Sequence, residues 1–235
     1  MRFVDMHCHV LPGIDDGSES MEESLHMLRD AYKSGISEII VTPHYKRGRR
    51  NAGRDEILRL IEQLQTEMRN TDNLITLYPG NEIFFFEGIT EALQSGEVLT
   101  LNGTNRVLVE FSPGEQLTYL RNAIDSLLAE EYVPIVAHPE RYGCTARSVS
   151  DTLFLAQMGA ELQVNAGSVA GKYGREARKY TMELLKAGAV TYIGSDAHDA
   201  RKRKIELDGC CKALRRKLDS NYLEAVMGGY AAELL

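Results

Sequence analysis

The sequence holds few of the features that mark secreted, membrane-spanning or polyanion-binding proteins. Its four cysteines, Cys8, Cys144, Cys210 and Cys211, form no CxxC pair and no evenly spaced framework. That excludes the disulfide scaffold of a small secreted domain and suits a reducing compartment, so the expected location is the cytoplasm. No stretch approaches the roughly 18 apolar residues of a membrane span, and Asp5, His7 and His9 interrupt the first apolar run, leaving no targeting segment. Positive charge is also in deficit: 27 Lys and Arg stand against 34 Asp and Glu, a formal charge of -7. The sequence pI of about 5.5 excludes a general nucleic-acid binder, which carries a basic face. There is no GxSxG elbow and no glycine-rich nucleotide loop.

What is present is an apolar content of 43% over 235 residues, sufficient for one full core, and a single domain over 1–235 is expected. Short β-branched or aliphatic runs alternate with longer helical patterns, the signature of repeated β-α units and a parallel sheet. Strands are expected at Phe3 to Met6, Glu38 to Thr42, Ile75 to Tyr78 extending towards Ile83, Arg106 to Val109, Val133 to Ala137, Glu161 to Val164 and Val190 to Ile193. Helices are expected from a Ser20 cap to Gly35, from Asp55 to Asn70, Gln116 to Glu131, Val149 to Met158, Arg175 to Ala187, Arg203 to Leu218, and from Tyr222 onwards.

Titratable residues gather where these strands end. His7 and His9 follow the first strand, His44 the second, Glu82 the third, Glu110 the fourth, His138 the fifth, and Asp196 with His198 the seventh. Only the sixth, ending near Asn165, brings no obvious ligand. In a β/α barrel the C-terminal strand ends converge on one face, so these side chains share a pocket. Any one of them alone reads as a hydrogen-bonded structural residue; together they would bury many uncompensated polar groups unless a cation held them. The sixth histidine, His26, lies in an amphipathic helix and reads as a solvated surface residue. Asp16 is a further candidate ligand, whereas Asp15, followed by Gly17, fits a turn and a cap for the next helix. Zinc takes about four protein ligands and octahedral ions about six including water, so the set points to two or three divalent ions. Imidazole and carboxylate without thiolate fit manganese, iron or zinc; Cys8 falls on the opposite strand face and reads as packing.

The stretches HCHVLPGIDDG, TPHY, GNEIF, VLVEF, AHPERY and GSDAH follow one another in the order and spacing of the polymerase and histidinol phosphatase (PHP) superfamily. More closely, nearly the whole chain resembles the manganese-dependent bacterial protein-tyrosine phosphatases of capsule and exopolysaccharide loci. The resemblance implies a distorted TIM-like (β/α)7 barrel with three metal ions. One ion would be held by His7, His9, Glu82 and Asp196, a second by Glu82, Glu110 and His138, and a third by Asp16, His44 and His198. It also places phosphate contacts on Arg141 and, after SDAH, on Arg203, with Arg201 and Lys202 close by. The implied reaction is hydrolysis of phosphotyrosine by metal-activated hydroxide, the implied partner a bacterial tyrosine kinase, and the implied pathway capsule or exopolysaccharide synthesis. Four carboxylates against three divalent ions would leave the pocket net cationic, by roughly two charges, within an acidic protein.

Cys210 and Arg216 satisfy the Cys-x5-Arg spacing of cysteine-dependent phosphatases, but CCKALRRK has no glycine and continues a helical pattern, so that chemistry is excluded. A small phosphomonoester such as histidinol phosphate, or a noncatalytic metal-binding regulatory module, are the alternative functions. The basic loop Lys46, Arg47, Arg49 and Arg50 reads first as solvated surface, with a role in holding acidic sequence as the second reading.

Overall fold

Parallel strands and covering helices alternate along the whole chain, as the hydrophobic pattern requires. The computed structural model describes residues 3–69, 75–205 and 207–235. Within them run β1 (Phe3–Cys8), α1 (Met21–Lys33), β2 (Ile36–Val41), β3 (His44–Tyr45), α2 (Arg54–Arg69), β4 (Thr76–Pro79), β5 (Glu82–Phe84), α3 (Ile89–Ser95), β6 (Arg106–Glu110), α4 (Leu117–Ala129) and β7 (Val133–Ala137). They continue with α5 (Gly143–Ala146), α6 (Val149–Gln157), β8 (Glu161–Asn165), α7 (Ala166–Ala170), α8 (Arg175–Lys186), β9 (Tyr192–Gly194), α9 (Asp208–Leu214), α10 (Ser220–Glu224) and α11 (Tyr230–Ala232).

Two parallel sheets, ordered β1-β2-β4 and β3-β5-β6-β7-β8-β9, form one curled wall because β2 runs on into β3 and β4 into β5. The breaks have local causes. Pro43 has no N–H to give the ladder, and its carbonyl instead accepts from Glu82 N (3.2 Å) and Asn81 Nδ2 (3.0 Å). Across from it the chain passes Gly80, where a Cβ would stand 2.8 Å from Leu101 Cδ2. The first and last strands meet through Asp196 N donating to His7 O and His9 N to Ala197 O, both 2.9 Å. Counted by staves, the wall has the expected seven positions of a distorted barrel, two of them split.

The core explains the curl. Val4, Met6, Ile40, Leu108, Ile135, Ala137 and Tyr192, from five different strands, pack with Ala231 and Leu234 of the C-terminal segment into one buried inner cluster. Two further buried clusters lie between the strands and the outer helices. In α2 the buried residues are Ile57, Leu60, Ile61, Leu64 and Met68, the stripe that the 3.6 period defines. Ser20 caps α1 by accepting from Glu23 N (3.2 Å), and the Glu23 carboxylate returns to Glu19 N (2.9 Å).

Several boundaries differ from expectation. The first strand runs on to Cys8, and α3 was not anticipated because it has only seven residues between Gly88 and Gly96. The helix expected from Arg203 begins only at Asp208. The carboxylate of Asp199 accepts from the backbone N–H groups of Arg201, Lys202 and Arg203, and His198 N donates to Arg203 O, so a tight loop takes the place of the first helical turns. Asn70, the expected end of the second helix, and Glu206 lie outside the described residues. The last helix breaks into α10 and α11 at Gly228, whose backbone leaves the helical region.

Candidate metal centre

A register shift between Asp5 and Cys8 in the β1–β2 pairing marks a bulge just before the site. It lets Met6 join the inner cluster while His7 turns to face Gln163 and Glu82; bulges commonly re-aim side chains in this way. Cys8 packs outwards in the helix-facing core, as its strand position predicts. At two other strand ends the backbone takes the left-handed conformation on non-glycine residues, His138 at φ 33° and Asp196 at φ 51°. Each such residue costs about 1–3 kcal/mol and persists only where the surroundings over-determine it.

The neutral amides of β8 fill the gap left by the sixth strand. The N–H of His138 can only donate, so the Gln163 atom that meets it at 3.2 Å is the carbonyl oxygen. The Gln163 NH2 then donates to Asn165 Oδ1 (2.9 Å), and Asn165 Nδ2 donates to the Asp196 carboxylate (2.7 Å). With that polarity fixed, His7 Nδ1 at 3.0 Å from Gln163 Oε1 must carry its proton, and Nε2 presents a lone pair to the pocket. The same logic holds for His9, whose Nδ1 donates to Asp15 Oδ2 (2.9 Å), and for His198, whose Nδ1 donates to Asp196 O (3.1 Å).

Those lone pairs converge on groups that cannot answer them. His7 Nε2 and His9 Nε2 are 3.1 Å apart, and both stand within 3.2 Å of Glu82 Oε2. His138 Nε2 is 2.7 Å from Glu82 Oε1, and Asp16 Oδ1 is 3.3 Å from both His44 Nε2 and His198 Nε2. Glu82 Oε2, His44 Nδ1 and His198 Nε2 are buried without a hydrogen-bond partner. Acceptor facing acceptor in a buried site calls for a cation between them, a proton or a metal, and imidazole plus carboxylate is a fitting donor set for a divalent ion.

Three groups of donor atoms are compact enough for one ion each: His7, His9, Glu82 and Asp196; His9, Asp16, His44 and His198; and His44, Glu82 and Glu110. The structure therefore brings eight of the nine sequence-predicted ligands into these groups, with His9, His44 and Glu82 each shared by two. It sets His44 rather than His138 beside Glu82 and Glu110, while His138 approaches Glu82 alone. His26 stays outside, exposed on α1 and facing Asp30.

The charges are mutually adjusted. With protons rather than metal between these groups, burial opposes ionisation of Glu82, but the field of His7 and hydrogen bonds from protonated His138, His7 and His9 outweigh it and hold the carboxyl well below its usual range. Hydrogen bonds from His198 and His44 do the same for Asp16. Burial works against charge on His44, yet the Asp16 and Glu110 carboxylates push it up to about 11, and Asp15 and Glu82 push buried His9 up to about 9.

Arg141 Nη1 (3.0 Å) and Arg203 Nη2 (2.8 Å) both reach Asp196 from the rim of the cluster. Arg201 is exposed and, among the described residues, only its backbone is engaged, with Asp199, so of the two arginines after SDAH it is Arg203 that reaches Asp196. Cys210 is buried inside α9, where burial pushes its thiol up, the opposite of an activated nucleophile. Asp15 forms the expected turn, accepting from Gly17 N (2.9 Å), but Ser20 rather than Asp15 caps α1. The second Asp15 oxygen instead orients His9 and accepts from His44 N (3.0 Å). Gln163, Asn165 and this role of Asp15 were missed in the sequence; the one available signal was the strand end without a ligand.

A parallel barrel with this cluster at its C-terminal strand ends defines a metal-binding β/α barrel protein. Residues 3–235 match the capsular polysaccharide synthesis family CpsB/CapC, and the chain belongs to that family. It is 30% identical over 217 residues to the tyrosine-protein phosphatase YwqE of Bacillus subtilis, spanning 92% of this chain and 85% of that one. It is 27% identical over 206 residues to the tyrosine-protein phosphatase CpsB of Streptococcus pneumoniae, covering 85% of this chain and 84% of that one. A crystal structure from work on YwqE of Bacillus subtilis and CpsB of Streptococcus pneumoniae, described as unique metal-dependent tyrosine phosphatases, superposes with a TM-score of 0.89. The identity there is 29%, over 94% of this chain and 90% of the other.

Proposed function

We propose that this protein is a metal-dependent protein-tyrosine phosphatase, one catalytic domain over residues 1–235. It acts in the cytoplasm on the phosphotyrosines of a bacterial tyrosine kinase and so regulates capsule or exopolysaccharide synthesis. The observation that carries the reading is the convergence of two guanidinium groups, Arg141 and Arg203, on the edge of a histidine–carboxylate cluster. The names of the relatives supply the substrate class.

In this reading one ion would be held by His7, His9, Glu82 and Asp196, a second by Glu82 and Glu110 with His138 or His44, and a third by Asp16, His44 and His198. Manganese is the favoured metal, with iron or zinc as the alternatives. Divalent ions bound there supply an activated water, its pKa lowered towards about 7, and neutralise phosphate charge. The chain's own part is orientation. Gln163, Asp15 and the Asp196 carbonyl hold His7, His9 and His198 in the tautomer that offers Nε2. Asp15 adds a fifth carboxylate, so three divalent ions and two arginines would leave the pocket about three charges positive, still attractive to a phosphate dianion. Arg141 and Arg203 exchange Asp196 for phosphate oxygens, a pairing that suits the planar guanidinium. The phenolate of tyrosine, with a pKa of about 10, leaves with little need of a general acid.

Hydrolysis of a phosphotyrosyl peptide by metal-stripped protein, restored with manganese, zinc or iron in turn, tests the proposal alongside His138→Ala and Cys210→Ser. Restored activity that survives the loss of Cys210 and fails with the loss of His138 is expected. Faster turnover of L-histidinol phosphate would move the substrate to a small molecule, and no hydrolysis by fully metallated protein would leave a binding module.

A further inference from the structure

The basic loop that follows β3 is built as a rigid cationic lip beside the cluster. Asn51 closes it from within: its Oδ1 accepts from Lys46 N (2.8 Å), and its Nδ2 donates to Lys46 O and Arg49 O (both 3.0 Å). Arg49 N completes the turn on Lys46 O at 3.0 Å, with Gly48 in the left-handed region at φ 79°. Two of the cations are pinned to the end of β5 and the residues after it. The Lys46 ammonium lies 4.1 Å from the Phe84 ring centroid, and the Arg47 guanidinium lies 5.1 Å from that of Phe86 while Arg47 Nη1 donates to Glu87 O (2.7 Å).

Arg49 and Arg50 are left exposed, and among the described residues none of the four cations pairs with a carboxylate. Here the fold already holds the loop backbone and the Lys46 and Arg47 side chains, so less ordering entropy remains to be lost on docking. The loop also sits two residues from His44, on the side where the cluster opens, since the Asp16 side chain there is 67% exposed. A positive lip at the mouth of the pocket is complementary to acidic residues, while the net charge of -7 over the whole chain disfavours long polyanions.

Resting on the phosphatase reading, we infer that Lys46–Arg50 is a docking surface for acidic side chains flanking the phosphotyrosine of a protein substrate. Lys46 and Arg47 fix the shape of the lip, and Arg49 and Arg50 carry the contacts.

The test uses the metal-loaded full chain and three substrates: an aryl phosphate, a phosphotyrosyl peptide with Asp and Glu flanks, and the same peptide with Asn and Gln. A few exposed ion pairs translate into a preference for the acidic peptide of about tenfold in kcat/KM, and that preference shrinks in high salt. The double variant Arg49→Glu/Arg50→Glu is expected to abolish or invert the preference while aryl phosphate turnover stays within about twofold. An acidic preference that survives this charge reversal, or none in the wild type at low salt, overturns the inference while leaving the phosphatase reading standing. Failure of the wild type on the aryl phosphate as well as on both peptides overturns both.

Discussion

Replacing Gln163 by leucine asks whether the amide behind His7 governs the metal centre. Leucine is close in size, so the packing is kept while three buried contacts vanish: the acceptor for His7 Nδ1 at 3.0 Å, the acceptor for His138 N at 3.2 Å, and the donor to Asn165 Oδ1 at 2.9 Å. An orphaned buried polar group costs about 1–3 kcal/mol, so with partial relaxation the metal-free fold should lose about 3 kcal/mol. For a chain of this size that is a fall of about 6–12 °C in Tm. Loss of the partner behind a metal-binding histidine weakens metal affinity about 10–100-fold, or about 1.4–2.7 kcal/mol. Competition with a chelator reads the affinity directly, without reference to turnover, and thermal unfolding of stripped protein reads the stability. Gln163→Glu separates the two effects. It keeps an acceptor for His7, and so much of the affinity, but sets an oxygen against Asn165 Oδ1 and keeps the stability loss. Wild-type metal affinity in Gln163→Leu would refute the idea that this amide fixes the His7 tautomer.

Arg203→Lys should lower kcat/KM on a phosphotyrosyl peptide by about 10–100-fold, because one ammonium cannot bond two phosphate oxygens, whereas Arg201→Ala should stay within about twofold. A larger loss in Arg201→Ala would reverse that assignment. In the metal-free protein His44 at about 11 and His9 at about 9 are protonated near neutrality, and ligation needs neutral imidazole, so metal loading should release protons and tighten as pH rises towards about 9. By the same sign, these two raised values stabilise the metal-free fold below about pH 6.5, and that contribution is lost as pH climbs through about 9 to 11. Calorimetry in buffers of different ionisation enthalpy measures the release, and proton-silent binding would contradict it. Gly17→Ala would place a Cβ 2.2 Å from His9 O and 2.6 Å from His9 Cβ. It should cost about 1–3 kcal/mol in a denaturant melt, and an unchanged midpoint would mean that the Asp15–Asp16 loop is not packed as described.

The strand ends were legible because two signals coincide there: apolar runs of strand length, and ionisable side chains directly after them. Cys8 and His26 were placed by periodicity alone. What stayed hidden depends on partners distant in sequence. Gln163 and Asn165 are neutral and carry no ligand signature; their role exists only once β7, β8 and β9 lie side by side. The helix expected from Arg203 had suitable spacing, but Asp199 offered the same backbone N–H groups a closer acceptor, and local side-chain competition won. The splits at Pro43 and Gly80 were foreshadowed by those residues, though not the change of sheet partner that they permit.

The seam of the barrel joins the two ends of the chain. His7 and His9 come from the first strand, Asp196 and His198 from just after the last, and backbone bonds stitch those segments directly to each other. A nascent chain that has not yet emerged past His198 lacks one of the four donors in two of the compact groups, while His44, Glu82 and Glu110 are already made. Contacts of such wide sequence separation form late, since the loop entropy must be met before they reward it. Closing the seam therefore completes two of the three donor groups in the same act that closes the sheet.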